Sequence, residues 1–294
     1  MYKSETVKSR LALIGAMCIF GTIGIVRKYI PLPSSIIALA RALIGMLFLV
    51  LVACISRRKP DLKAIRKHFV PLLLSGFLLG FNWILLFEAY NYTTVATATL
   101  CYYMAPMLVI LVSPLLFKER LSGIKLLCVL AAFIGVILVS GVLQTGFSGM
   151  AEIKGILFGL AAAVFYACVV LLNKRLSSLT AYDKTIMQLG LAGLILIPYC
   201  LVTEDISALA IDGSGIVLLI VAGIVHTGIA YALYFGSMKQ LKAQTVALYS
   251  YIDPVLAILL SALLLKETMT VASGIGAVLI LSAAFISDRV NTAS

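Results

Sequence analysis

The sequence predicts an all-α integral membrane protein of ten transmembrane helices, arranged as two inverted five-helix repeats. Three observations carry the prediction: a composition too apolar for water, ten apolar runs of bilayer-spanning length, and a repeat at a constant offset. Of the 294 residues, 62% are hydrophobic and 12% are charged, with a mean hydropathy of +1.12. A soluble domain is roughly half apolar and a quarter charged. Soluble enzymes, nucleic-acid binders and disordered chains are therefore excluded. The net charge of +11 reflects the Lys and Arg that orient a membrane protein, not a nucleic-acid partner. Cys18, Cys54, Cys101, Cys128, Cys168 and Cys200 all lie in apolar stretches without a CxxC pair. They read as small hydrophobes, not as disulfides or metal ligands.

The apolar runs fall at about 11–30, 34–55, 69–90, 95–117, 123–143, 153–173, 182–203, 214–236, 243–265 and 269–287. About 20 residues of helix cross a bilayer. Helices or closed barrels alone satisfy the backbone in hydrocarbon, and barrel strands would alternate polar with apolar residues, which these runs do not. Lys3, Lys8 and Arg10 precede the first run, but no small-residue cleavage site follows, so it is a span and not a signal peptide. The longest basic loop is RRKPDLKAIRK at 57–67. The charge rule explains it as a cytoplasmic loop, with contact to anionic lipid as the alternative. With the N-terminus inside, 18 of the 23 Lys and Arg lie on the inner side, four lie on the outer side, and Arg41 is within a span. Both termini are thus expected in the cytoplasm, in a multi-pass protein of the cell membrane.

The fourth run, TATLCYYMAPMLVILVSPLLFKE, matches the ninth, TVALYSYIDPVLAILLSALLLKE. Thr97 pairs with Thr245, Tyr103 with Tyr251, Pro106 with Pro254, Ser113 with Ser261, and Lys118–Glu119 with Lys266–Glu267, always 148 residues apart. The repeats are expected at 1–146 and 147–294. Five spans are an odd number, so the second copy enters the membrane upside down. Such inverted repeats underlie alternating access in many secondary transporters, with substrate held near the midplane.

At these residues the sequence resembles a known family. A proline, a dozen apolar residues and a glutamate close the fourth and ninth runs. Glycine-rich stretches follow, GVILVSG and GIGAVLILSAAF, and Arg41 stands in ALARALIG. The pattern resembles the EamA family of the drug/metabolite transporter superfamily over nearly the whole chain. The resemblance implies ten helices, cytoplasmic termini and a central cavity between the halves, with the fifth and tenth helices at the periphery. It also implies movement of amino acids, other metabolites or drugs, often outward. The second copy departs from the pattern, since Arg41 has no arginine counterpart: the offset leads to Leu189, next to Gln188.

Candidate residues follow from polarity at membrane depth. Pro106 and Pro254 lie mid-run, where a proline removes a backbone donor and frees the carbonyls of Tyr102 and Ser250; the pair is expected to act as hinges. Arg41 and Glu88 lie at similar depth near the outer ends of the second and third runs. An ion pair between them would serve either as a structural clamp or in substrate binding. Asp253 and His226 lie near the middle of the ninth and eighth runs. Asp253 is expected to bind a cationic group or exchange a proton, with His226 as relay; the alternative for His226 is a satisfied core residue. Asn82, Trp83, Tyr102, Tyr103, Tyr166, Tyr231, Tyr234 and Tyr251 pair apolar bodies with polar tips. Together they suggest a wide substrate pocket for amphipathic molecules. Glu119 and Glu267, at span ends, are candidate gates or anchors. GFLLG at 76–80 and GILFG at 155–159 mark close helix contacts. Gly274, Gly276 and Ala277 permit tight packing within the chain or a homodimer.

The sequence contains no GxxxxGK[ST] and no HExxH, and its two histidines, His68 and His226, form no readable triad. No cofactor, metal or enzymatic activity is expected. The expected function is secondary transport of small organic metabolites, amino acids or similar amphipathic solutes, with export favoured. A multidrug or cation/proton antiporter is the alternative, and a membrane-embedded enzyme or lipid scramblase the alternative of another class. Expected partners are a small-molecule substrate and the lipid bilayer, with no nucleic acid.

Overall fold

In hydrocarbon no water pairs the backbone N–H and C=O groups, so each apolar run must pair its own. The structure, a computed structural model, describes residues 2–93, 98, 101–118, 121–140, 150–265 and 271–292. Every regular element among them is helical. These are α1 (Tyr2–Lys28), α2 (Ser34–Ile55), the short α3 (Leu62–Lys67), α4 (Phe69–Tyr92), α5 (Met104–Phe117) and α6 (Gly123–Ser140). There follow α7 (Met150–Arg175), α8 (Ala181–Thr203), α9 (Gly213–Ser237), α10 (Ala243–Tyr249), α11 (Ile252–Leu265) and α12 (Val271–Thr292). Among the described residues, six helices are long and apolar enough to cross a membrane, within α1, α2, α4, α7, α8 and α9. Met104–Phe117, Gly123–Leu138 and Gly274–Ala283 are shorter apolar helices.

The fourth and ninth runs differ from the continuous spans expected of them. The chain turns at Tyr103 before α5 begins, and the ninth run divides at Ser250–Tyr251 into α10 and α11. Each break lies just ahead of a proline. Pro106 and Pro254 become the third residue of a new helix, where the missing N–H would have had no intrahelical partner. Pro114 sits inside α5, and there the Ser113 hydroxyl donates to the Ile110 carbonyl that the proline leaves open, at 3.1 Å.

The chain forms two compact units, each drawing on both halves of the sequence. The first comprises Met1–Ile84 with Leu172–Gln240, and the second Leu85–Leu171 with Leu241–Ser294. In the first, α2 packs against α8 and α9, and α1 packs against α9. Glycines permit the approach. A Cβ on Gly223 would lie 2.5 Å from the Ile44 Cβ, and one on Gly45 would lie 3.0 Å from the Gly223 carbonyl oxygen. Gly76 and Gly80 of GFLLG are met by Leu191 and Ala192 of α8. The Ser35 hydroxyl, in the first turn of α2, donates to Glu204 just past the end of α8. Asp212 starts α9 by accepting from the Gly215 N–H at 2.8 Å.

In the second unit α6 packs along α12, and α10 packs against α5 and α12. A Cβ on Gly135 would lie 2.7 Å from the Gly276 oxygen, so Gly276 serves a contact within the chain. Gly155 and Gly159 of GILFG are met by Thr93 and Cys101.

Gly223→Ala forces Ile44 aside and is expected to destabilise the protein by about 1–3 kcal/mol. Gly15→Ala, where nothing lies within 4 Å, should stabilise by up to about 1 kcal/mol through helix propensity. Thermal unfolding of the two variants in detergent checks the opposite signs.

Candidate functional site

The predicted polar residues form two clusters, one in each unit. In the first unit, α9 carries a π-helical turn over Ile224–Ile229. Such a turn admits one extra residue and is frequent at functional sites. Here the Thr227 hydroxyl donates to the Ala222 carbonyl at 2.9 Å and accepts from Arg41 Nε at 3.0 Å. The Arg41 guanidinium carbon stands 5.6 Å from the Trp83 ring centroid. A guanidinium held by its Nε and an aromatic face is oriented as a planar fork suited to a carboxylate.

His226, on the same turn, has Nε2 2.8 Å from the Thr22 hydroxyl and Nδ1 3.4 Å from the Val221 oxygen. Trp83 meets Tyr231 edge-on at 6.2 Å between ring centroids, Tyr231 meets Phe20 at 5.1 Å, and Tyr234 meets Phe20 at 6.1 Å. Trp83, Tyr231, Tyr234 and Asn82 are all buried. Trp83 and Tyr231 are 148 residues apart, the offset of the internal repeat.

In the second unit, the two helix breaks meet. The Tyr251 hydroxyl donates to the Tyr103 carbonyl at 3.2 Å and hydrogen-bonds the Met107 backbone, so it sits on the first turn of α5. The Tyr103 hydroxyl in turn hydrogen-bonds the carboxyl of Asp253, in the first turn of α11. The two rings lie 6.5 Å apart. Each tyrosine thus serves the helix start that belongs to its repeat partner. A carboxylate in a first turn is also favoured by the helix dipole. Tyr102 extends the cluster toward Tyr166, at 5.4 Å.

Arg41 is held by Thr227 and Trp83, while Glu88 belongs to the second unit. Asp253 pairs with Tyr103, while His226 pairs with Thr22 in the first unit. Glu119 and Glu267 lie outside the described residues.

Two buried lysines were missed by sequence reasoning. Lys184, 1% exposed, donates to the carbonyls of Asn173 at 3.3 Å and Phe235 at 3.1 Å, near the C-terminal ends of α7 and α9. Lys125, 4% exposed, donates to Gln244 Oε1 at 2.6 Å. Beside Lys184, Gln188 donates to Ser75 at 2.5 Å. Lys174 reaches the Met238 carbonyl at 3.1 Å. Ammonium groups suit helix C-termini because they satisfy open carbonyls and oppose the dipole. The available signal was that Lys184 is already the third residue of an apolar run. Lys184→Met leaves two buried carbonyls without their donor, and a loss of about 1–3 kcal/mol is expected by thermal unfolding.

Comparison with known proteins agrees with this architecture. The EamA-like transporter family matches the chain twice, over residues 8–141 and 153–287. The Bacillus subtilis (strain 168) protein named uncharacterized transporter YxxF is 33% identical over 253 residues, 85% of this chain and 79% of its own. Protein RarD of Salmonella typhi is 26% identical over 87% of each chain. Protein PecM of Dickeya dadantii (strain 3937) is 24% identical over 94% of this chain and 91% of its own. A solved crystal structure, 20% identical, matches the fold with a TM-score of 0.86 over 96% of each chain. Matched in both halves by one family and built from several membrane-crossing apolar helices, the chain belongs to the EamA-like transporter family and is a multi-pass membrane transporter.

Proposed function

We propose that the protein is a secondary transporter that moves small amphipathic metabolites, amino acids or similar solutes, by alternating access. In this reading residues 1–146 and 147–294 are two inverted five-helix repeats, with both termini in the cytoplasm of a cell-membrane protein. The observation that carries it is the contact between residues 148 positions apart, Trp83 with Tyr231 and Tyr103 with Tyr251. A residue touches its own counterpart only near a symmetry axis. Counterpart helices also pack directly, α2 on α8 and α6 on α12. The charge asymmetry of the loops supports the orientation.

Arg41 supplies the cationic contact for a substrate carboxylate, and Trp83, Tyr231 and Tyr234 supply the apolar and aromatic surface. Asp253 at the broken helix exchanges a proton or meets the substrate's ammonium group, with Tyr103 orienting it. Pro106 and Pro254, at the two breaks, allow the half-helices to swing. The position of Asp253 also favours a second reading, a cation/proton antiporter with Glu88 as the further carboxylate. Export is the favoured direction.

Flux of labelled amino acids into and out of proteoliposomes tests the reading. Saturable, gradient-dependent movement is expected from the parent protein. Arg41→Lys should raise the half-saturating concentration about ten- to a hundred-fold, the range for losing a charge-assisted bond. Asp253→Asn should remove the pH dependence of flux while leaving the unfolding temperature near that of the parent. Unchanged flux at every pH would exclude Asp253 from coupling. Lipid movement without solute flux would favour a scramblase.

Inversion has its own test. In a background without the six native cysteines, Glu119→Cys and Glu267→Cys are expected to label from opposite sides of the membrane. Labelling from one side would overturn the inverted arrangement.

A further inference from the structure

The basic loop after α2 folds back on the first unit. Arg57 adopts a left-handed backbone, φ 49°. Its N–H bonds the Cys54 carbonyl at 3.0 Å, and the Arg58 N–H bonds the Ala53 carbonyl at 2.9 Å. This is the paired hydrogen-bond pattern that closes many helices. It turns Arg58 toward α8, where the guanidinium carbon lies 4.7 Å from the Tyr182 ring centroid. Asp61 then starts α3 by accepting from the Ala64 N–H at 2.9 Å.

Between α2, this loop, α3 and the start of α8 lies a cavity of about 600 Å³. Its lining includes Val50, Ala53, Leu62, Ile65, Ile186 and Met187 together with Arg58 and Lys59, which are exposed. The carboxylate in the lining, Asp183, is buried and already engaged: it accepts from the Thr180 hydroxyl at 2.9 Å and faces the Asp61 N–H at 3.5 Å. Among the described residues no carboxylate pairs with Arg58 or Lys59. The neighbouring apolar side chains Leu51, Ile55 and Leu62 are 57%, 73% and 71% exposed, which marks this edge as the bilayer boundary.

We propose that this cavity binds an anionic phospholipid, with an acyl chain between α2 and α8 and the phosphate against Arg58 and Lys59. Soluble phosphate would use the two cations but not the apolar walls. A zwitterionic lipid would fill the walls but bring no net charge to the cations. A molecule joining a hydrocarbon chain to an anionic head uses both, and basic pockets beside membrane helices suit such head groups. The cavity volume is in the ordinary range for a ligand pocket. The site does not depend on the transport reading, because it needs only the membrane.

Full-length protein in detergent, titrated with dimyristoyl phosphatidylglycerol and followed by native mass spectrometry, tests the proposal. Dimyristoyl phosphatidylcholine, glycerophosphoglycerol and inorganic phosphate are the comparison ligands. Saturable binding is expected for phosphatidylglycerol alone. The R58Q/K59Q double variant should weaken it roughly thirty-fold, at about tenfold or less per charge. K63Q/R66Q, which removes equal charge from the exposed face of α3, should change it less than twofold. Ala53→Phe, which fills the apolar wall, should weaken it while Arg58 and Lys59 remain. Equal loss in K63Q/R66Q, equal binding of phosphatidylcholine, or unchanged binding in R58Q/K59Q would overturn the site. Binding of glycerophosphoglycerol or inorganic phosphate as tight as that of the lipid would overturn the role of the acyl chain.

Discussion

A backbone carbonyl or amide left open in an apolar surround is expensive, and this constraint shapes the whole protein. Most of the chain meets it by helix formation alone. Where helices break or widen, a nearby side chain takes over the open group. The Tyr251 hydroxyl serves the first turn of α5, Ser113 serves the carbonyl opened by Pro114, and Thr227 serves Ala222 inside the π-helical turn. Lys184 and Lys174 close helix ends with ammonium groups. Several of the polar side chains buried in the two units are therefore part of the backbone's own hydrogen bonding.

The same substitutions create the chemistry. Thr227 satisfies Ala222 and in doing so presents a lone pair to Arg41. Tyr103, turned out of the helix at the break, reaches Asp253. Glycines at 45 and 223 let α2 approach α9 closely enough for the arginine to meet threonine directly. The functional candidates thus sit where regular helix gives way, and irregular backbone at membrane depth is tolerated only where protein or a water-lined cavity satisfies it.

The internal repeat supplies a frame, and its departures supply the specific groups. Trp83 and Tyr231, or Tyr103 and Tyr251, are partners in both sequence and space. Arg41 has no arginine counterpart, and the residue 148 positions before Asp253 is Ala105. The first unit therefore carries the guanidinium of Arg41 and the second the carboxylate of Asp253. The cavity lined by Arg58 and Lys59 is a further feature of the first unit.

Composition and hydropathy pattern determined that the chain is helical and embedded in lipid, because only helices or closed barrels pair the backbone there and the apolar runs do not alternate. The constant spacing of Tyr103 and Tyr251, Pro106 and Pro254 was likewise legible, since duplication leaves its mark in residue identity. Tertiary structure decided the partners. Arg41 bonds Thr227 and faces Trp83, contacts that its place in the second apolar run does not specify. Asp253 bonds Tyr103, and His226 stands beside Thr22. Linear sequence encodes how far along a helix a residue lies. The face it presents depends on helix rotation, and one extra residue in the Ile224–Ile229 turn is enough to change that. Lys184 was hidden for the same reason: only the packed ends of α7 and α9 show that its charge caps carbonyls inside the fold and does not face water.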